Sequence, residues 1–367
     1  MRPPALLFGI PIDDVTMTET LDRIGELITI GRAAGRTHQV ATVNVDFLVN
    51  SLANPELADI LRLSDLNLAD GMPVVWGARK AGSPLRERVT GADLVPALAA
   101  RSAETGWHVH LFGSAAGVAE EAATRLMRAN PQARITAESG PMIPDVTATP
   151  DDVLQRLAEV DADVLCVALG NPKQERFIRA NRDRLRTPVM IGVGGTLDMI
   201  VGDKKRAPGW MQRSGLEWSF RALQEPQRLG RRYAHDARVF LPRLRSYLRQ
   251  LPDSAATWHL HPDHIGDSLV ITASAAPANA AAWQQAASSV DALSTIEVRF
   301  DGAPALAMAD WCALIGVLRG GYRNASITFS GIGEALRKQM ESLSLTRTVH
   351  GDATDATDAT DATKDER

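Results

Sequence analysis

Cysteine is nearly missing from this 367-residue chain: only Cys166 and Cys312 occur, each inside an apolar run. That excludes a disulfide framework and a thiolate metal centre, and it fits a reducing cytosol. No run of 18 apolar residues exists, and the N-terminus lacks a basic stretch leading into a long apolar one. Any membrane contact is therefore expected to be peripheral. No cluster of Cys, His, Asp and Glu has convincing metal-ligand spacing. Asp161-Ala162-Asp163 matches a short metal-binding pattern but precedes a strand, which puts it at the sheet edge remote from ligands. Gly192-Val193-Gly194-Gly195 lacks the third glycine of the dinucleotide fingerprint, and no acidic residue is placed to hold a ribose.

Apolar runs alternating with helical stretches are abundant. His38 to Val43, Leu66 to Ala69, His108 to Phe112, Ile135 to Ser139, Val164 to Ala168 and Val189 to Val193 read as strands. The last two are apolar almost throughout, as in a parallel sheet buried on both faces. Helical periodicity covers Gly91 to Glu104, Ala115 to Ala129, Pro150 to Glu159 and Pro172 to Arg184. The fold class is α/β: a Rossmann-like parallel-sheet domain over residues 1–207, with a helical appendage over 208–251. A linker over 252–267 leads to a small α/β unit over 268–345. His259, His261 and His264 fall in that linker and are expected to be solvated. The tail, 346–367, is built on Asp-Ala-Thr repeats with nothing to form a core, and is expected to be disordered.

Charge is concentrated. From Lys204 to Arg249 twelve Lys and Arg residues face three acidic ones, Glu217, Glu225 and Asp236. Trp218, Phe220, Leu223, Leu229, Tyr233, Val239, Phe240, Leu241 and Leu244 are interleaved with them, which favours anionic lipid or a phosphorylated substrate over nucleic acid. Arg221, Arg228 and Arg231 are spaced to share a face if one helix runs through, and guanidinium groups bind phosphate bidentately. The alternative is a helix packed on its own domain with solvated arginines.

Parallel sheets bind ligands at the C-terminal ends of their strands. Asp70, just past a strand end in Leu-Ala-Asp-Gly-Met-Pro, is the candidate general base; otherwise it caps the helix starting near Pro73. Thr42 and Asn44 end another strand, either bonding a substrate or Asp70, or only forming the turn. Arg88 faces an anion or is a surface arginine, with Thr90 capping the next helix. Asn171, Lys173 and Gln174 crowd a helix N-terminus suited to negative ligands, where Lys173 and Glu175 otherwise only decorate the turn. Gly194 and Gly195 remove Cβ atoms that would keep a diphosphate from backbone N–H groups.

Thr42-Val43-Asn44, Ala69-Asp70-Gly71-Met72-Pro73, Arg88-Val89-Thr90-Gly91, Leu169-Gly170-Asn171-Pro172-Lys173-Gln174-Glu175, Gly192-Val193-Gly194-Gly195, Lys205-Arg206-Ala207-Pro208 and Gly215-Leu216-Glu217-Trp218 through Glu225-Pro226 occur in that order. Together they resemble the bacterial WecG/TagA/CpsF glycosyltransferases across roughly residues 6 to 245. The resemblance implies an inverting, metal-independent transfer from a UDP-sugar to a polyprenyl-diphosphate-linked saccharide at the cytoplasmic membrane face. It places Asp70 as base, Thr42, Arg88 and Gln174 in the pocket, and Arg221, Arg228 and Arg231 in a C-terminal appendage that closes over the site and meets the membrane. It also implies a homo-oligomer in equilibrium with monomer. Residues 268–345 resemble STAS domains in the order of their elements, implying a protein partner; Ala305 to Asp310 replaces the phosphorylatable turn. Two other classes remain on sequence grounds: a UDP-sugar oxidoreductase or epimerase, and a non-catalytic scaffold of polysaccharide assembly.

Overall fold

The computed structural model describes residues 2–83, 85–140, 142–202, 207–208, 211, 217–224, 226–251, 258–276, 279–321 and 325–346. The appendage motif residues Lys205, Arg206, Gly215, Leu216 and Glu225, and the tail from 347 onward, lie outside them.

A short antiparallel hairpin, β1 (Ala5–Leu7) and β2 (Ile10–Ile12), begins the fold. Its two-residue turn, Phe8-Gly9, has φ of 54° and 74°, the geometry that matches strand twist in tight hairpins. A phenylalanine there is strained. Its ring is held edge-on to Phe240 and Tyr247, with centroids 5.7 and 5.6 Å away.

The main sheet has six parallel strands: β3 (His38–Val43), β4 (Leu66–Ala69), β5 (His108–Gly113), β6 (Arg134–Glu138), β7 (Val164–Ala168) and β8 (Val189–Gly192), in the order β4-β3-β8-β7-β5-β6. Side chains alternate between two apolar layers because the strand period is two. Val40, Leu66, Leu68, Cys166 and Ile191 pack with α1 (Met17–Ala34), α5 (Gly91–Thr105), α6 (Val118–Ala129) and α9 (Thr196–Val201). On the other face Val43 and Ala69 pack with α2 (Val45–Ala53), α3 (Pro55–Leu63) and α4 (Met72–Lys80), while Leu165, Val167 and Met190 meet α7 (Asp151–Glu159) and α8 (Lys173–Leu185). The register pairs Val43 with Ala69, Ala41 with Gly192, and Val167 with Gly192, so the loops after β3, β4, β7 and β8 emerge on one edge.

The appendage is helical as expected, but not one helix. α10 (Glu217–Gln224) is followed by a π-helical turn, Pro226–Gly230, and then by α11 (Arg231–Arg249). Phe240 and Tyr247 of α11 are buried on the hairpin, and the Tyr247 hydroxyl donates to the Leu6 carbonyl at 2.8 Å. Leu229 is buried too. Leu229 and Phe240 thus belong to the protein interior and not to a lipid-facing surface, a correction to the sequence reading; Trp218, Leu223 and Leu241 remain exposed.

The C-terminal unit is a four-stranded sheet, β9 (His259–Ile265), β10 (Ser268–Ser274), β11 (Thr295–Arg299) and β12 (Ser326–Ser330), in the order β12-β11-β10-β9, with α12 (Ala280–Ser289), α13 (Met308–Gly321) and α14 (Glu334–Ser342). Only the β9–β10 pair is antiparallel. β9 occupies residues assigned from sequence to the linker. Its histidines are bonded rather than merely solvated: His259 pairs with buried Asp310 at 2.8 Å, His261 with Ser274 at 2.9 Å and His264 with Ser289 at 3.1 Å. Alternation of apolar Leu260 with these polar residues is a half-buried strand pattern that the prolines and histidines obscured.

This unit is not a bead on a string. Leu6, Phe8 and Ile12 share one continuous core with Tyr247, Leu260 and Trp311. Arg319 pairs with buried Asp13 at 2.9 Å and donates to the Ser64 carbonyl, while Arg62 donates to the carbonyls of Gly9 and Ser344. Gly9 must be glycine, since a Cβ would lie 2.2 Å from the Ser344 carbonyl oxygen. Removing Arg319 would strand a buried carboxylate, a change that costs about 3–5 kcal/mol in comparable pairs.

Candidate active site

Asp70 follows β4, where its N–H donates to the Val43 carbonyl at 2.9 Å. Gly71 comes next with φ of 129°, a conformation open to glycine, and is itself the N-cap of α4. Asp70 therefore stands one residue outside the cap position, and the capping alternative does not describe it. The Ala69 carbonyl accepts the Val89 N–H at 3.0 Å, which brings Arg88 to the same strand end. Thr90 caps α5 by accepting the Asp93 N–H, as its sequence position predicts.

Arg88 is not a solvated surface arginine. Its guanidinium donates to Glu217 of α10 at 2.9 Å, and only about 15% of either side chain is exposed. The appendage is thereby pinned across the ligand edge by a group of opposite charge. Thr42, 4% exposed, donates to the Gly192 carbonyl at 2.9 Å and so joins β3 to β8. Asn44 caps α2, its side-chain oxygen accepting the Phe47 N–H at 3.2 Å.

Gln174 is buried and ties two loops together. Its Oε1 accepts the N–H of Gly170 at 3.2 Å and of Gly194 at 2.9 Å, one from the loop after β7 and one from the loop after β8. The Gly194 N–H is thus committed within the protein, whereas Gly195 is the N-cap of α9. At both Gly170 and Gly194 φ is positive, and a Cβ would meet nothing within 4 Å, so the backbone there borders open space. Lys173 is exposed, and Asn171 donates to Asp46 of α2 at 3.0 Å.

Of the three appendage arginines, Arg231 is exposed at the start of α11. The side chains of Arg221 and Arg228 lie outside the described residues. The π turn adds a residue to the helical count, which shifts the face that 3.6-residue spacing projects. Arg232, the next residue, lies near Asp46, with Nε 3.9 Å from Oδ1. Beside them is buried Asp236, whose carboxyl is pushed up to about 6 by burial and by the Asp46 charge, against the opposing pull of Arg232.

Asp46, Glu175, Glu217, Arg232 and Asp236 were not singled out from sequence. For Glu175 a signal existed: it shares with Gln174, Ile178, Asn181 and Leu185 the buried stripe of α8. Its carboxyl, 1% exposed, is pushed up to about 8, chiefly by burial. It does not decorate the turn.

Asp161 and Asp163 lie at the opposite end of the sheet, both paired with Arg32, and Asp163 also accepts the His108 N–H at 2.8 Å. A cavity of about 340 Å³ at that end is lined by Arg32, Asp161, Arg184 and Arg186, far along the strands from Asp70. Among the described residues no group of three or more His, Cys, Asp or Glu side chains is placed to share a metal ion. No helix among them is long and apolar enough to cross a membrane.

A family model described as Glycosyl transferase WecG/TagA/CpsF family matches residues 5–253. The chain is similar to the N-acetylglucosaminyldiphosphoundecaprenol N-acetyl-beta-D-mannosaminyltransferase of Bacillus spizizenii, at 32% identity over 52% of this chain and 72% of the relative. It is similar to the protein of the same name from Bacillus subtilis, at 31% identity over the same shares. The match takes in the parallel sheet, Asp70, the Gln174 clamp and the appendage, and the chain belongs to the WecG/TagA/CpsF family of glycosyl transferases.

Proposed function

We propose that this chain transfers an N-acetylhexosamine from a UDP-sugar to a polyprenyl-diphosphate-linked saccharide, with inversion at the anomeric carbon and without a metal ion. The observation that carries the reading is the convergence of Asp70, Arg88 and the Gly170 and Gly194 loops on one edge of the sheet. The relatives' name supplies the substrate class: a saccharide on undecaprenyl diphosphate as acceptor and a β-linked N-acetylmannosamine as the group moved. A β product from an α-linked nucleotide sugar requires inversion, and inversion requires a single base on the face opposite the leaving group.

In this reading Asp70 takes the proton of the acceptor hydroxyl as its oxygen attacks the anomeric carbon. The bond from that carbon to the diphosphate oxygen breaks, and its electron pair leaves with UDP. Arg88 and the appendage arginines Arg221, Arg228 and Arg231 meet the charge gathering on the diphosphate, stabilising the transition state more than the ground state. Glu217 pairs with Arg88 and holds its guanidinium at this edge. Gln174 holds the two loops, and Thr42 and Asn44 hold the strand ends from which they spring. Asn171, Lys173, Gly194 and Gly195 border the donor.

Exposed Trp218, Leu223 and Leu241, beside the arginines of α11, suit the appendage to the headgroup boundary of the cytoplasmic leaflet, where a lipid-linked acceptor sits. The C-terminal unit is read as a STAS-like module for a protein partner, supported by its element order and by its outer edge strand β12. The test is to supply UDP-N-acetylmannosamine with a synthetic N-acetylglucosaminyl diphospholipid and to measure UDP and the disaccharide together. Equal amounts of both support transfer. UDP without acceptor-dependent disaccharide, across a panel of UDP-sugars, would remove the transferase reading.

A further inference from the structure

Glu175 lies under the ligand edge with one oxygen engaged and one not. Oε1 accepts the Gln174 Nε2 at 2.7 Å, while Oε2 has no hydrogen-bond partner among the described residues. The Gln174 amide beside it can be placed two ways in the same space. Only one of them works: Oε1 must face the N–H groups of Gly170 and Gly194, since the reverse would press an NH2 group against two donors. An acceptor on the far side of the amide selects that orientation, and Glu175 provides it. Gly192 makes room for both side chains, because a Cβ there would lie 2.5 Å from Gln174 Nε2 and 2.6 Å from Glu175 Oε1.

We propose that Glu175 is a positioning residue for sugar transfer: it fixes the Gln174 amide in the orientation that ties the Gly170 loop to the Gly194 loop, and so sets the width of the donor site. This rests on reading the ligand edge as the donor site. Burial, reinforced by the charge of Asp46 on α2, pushes the Glu175 carboxyl up to about 8, against the pull of the Gln174 bond. Arg232 and Asp236 on α11 face Asp46 in turn, and Gln39 of β3 reaches only the Glu175 backbone carbonyl. At neutral pH the carboxyl is protonated, and its carbonyl oxygen is the acceptor for Gln174. The folded value lies above the ordinary 4.5, so the native state holds the proton more tightly than the unfolded chain. Native stability therefore declines as pH rises from about 4.5 to about 8 and is level beyond.

Three measurements on the full chain test the proposal. In hydrogen exchange, Glu175→Ala should speed the amides of 170–171 and 192–195 together by about tenfold or more, leaving the hairpin β1–β2 unchanged, and Glu175→Gln should restore them. In kinetics, Glu175→Ala should lower kcat by about tenfold with little change in donor KM, and Glu175→Gln should recover most of it. The double variant Gln174→Ala/Glu175→Ala should be no slower than Gln174→Ala alone, because the carboxyl acts through the amide. In thermal unfolding, Glu175→Gln should gain on wild type as pH rises from 5 to 8. Unchanged loop exchange in Glu175→Ala, a double variant slower than the single, or a pH-independent gap in unfolding would each overturn it. If wild type transfers no sugar from any donor, the reading of the reaction falls, while exchange and unfolding still decide the role of Glu175.

Discussion

The two ends of the parallel sheet use aspartate in opposite ways. At the N-terminal end, Asp65 and Asp163 each precede a strand and accept a backbone N–H from the neighbouring one, Gln39 for Asp65 and His108 for Asp163. Each also takes a cationic or imidazole partner, His38 at 2.7 Å and Arg32 at 2.9 Å. They act as staples across strand starts. At the C-terminal end, Asp70 uses its backbone N–H for the sheet and follows the strand at a glycine turn, on the same sheet edge as the segment that carries Arg88 and the loops after β7 and β8. Position along the strand, not residue type, separates a carboxylate that staples the sheet from one carried beyond it.

The largest expected effect breaks the comparison at the C-terminal end. Asp70→Asn keeps the shape of the side chain and removes its basicity, so transfer should fall by about 10² to 10⁴ while the melting temperature holds. Near-normal turnover in a disaccharide assay would remove Asp70 from the reaction. Next is Gly192→Ala, which drives a methyl group into the Gln174–Glu175 contact. Overpacking of this kind destabilises by about 1–3 kcal/mol. Here it should also depress kcat, because the loops that shift are those of the proposed donor site. A variant with wild-type stability and turnover would show that the loops adjust freely.

Much of this arrangement was legible in the sequence. Strands His38–Val43, Leu66–Ala69 and Val164–Ala168 fall where apolar runs end in Asn, Asp or Gly, because a strand buried on both faces leaves no other reading. The hairpin Ala5–Ile12 was not legible, since its burial comes from α11 and the C-terminal unit, more than two hundred residues away. Among candidate site residues, Asp70, Arg88 and Gln174 were picked out through their loops, which the structure brings to one sheet edge. Glu217, Arg232 and Asp46 were not, because their contacts depend on how the appendage crosses the sheet edge, and a π turn interrupts the single helix on which Arg231 was chosen. Glu175 was passed over because a charged residue in a first helical turn is ordinarily solvated.

A smaller effect is expected at the N-terminal end. Asp163→Asn loses the charge that meets Arg32 and weakens the acceptor for the His108 N–H, so unfolding should show a loss of about 1–2 kcal/mol. Turnover should be unchanged in the folded fraction. A fall in kcat matching that of Asp70→Asn, at unaltered stability, would mean that both ends of the sheet take part in the reaction.

The smallest effect, none, is expected of EDTA. A metal-dependent transfer would need carboxylates near the diphosphate, and the Asp161-Ala162-Asp163 pattern is the sequence's nearest approach to such a pair. Both of its carboxylates pair with Arg32, at the strand ends opposite Asp70. Among the described residues the ligand edge carries the guanidiniums of Arg88, paired with Glu217, and of Arg232, near Asp46, together with exposed Lys173. Arginine carries a fixed charge and a planar fork matched to phosphate oxygens, so it can neutralise a departing diphosphate without a coordinated ion. Activity in EDTA should equal activity in added Mg²⁺ or Mn²⁺. Loss on chelation, reversed by either ion, would shift the charge of the leaving group from these arginines to a metal and make Asp161 and Asp163 the first residues to substitute.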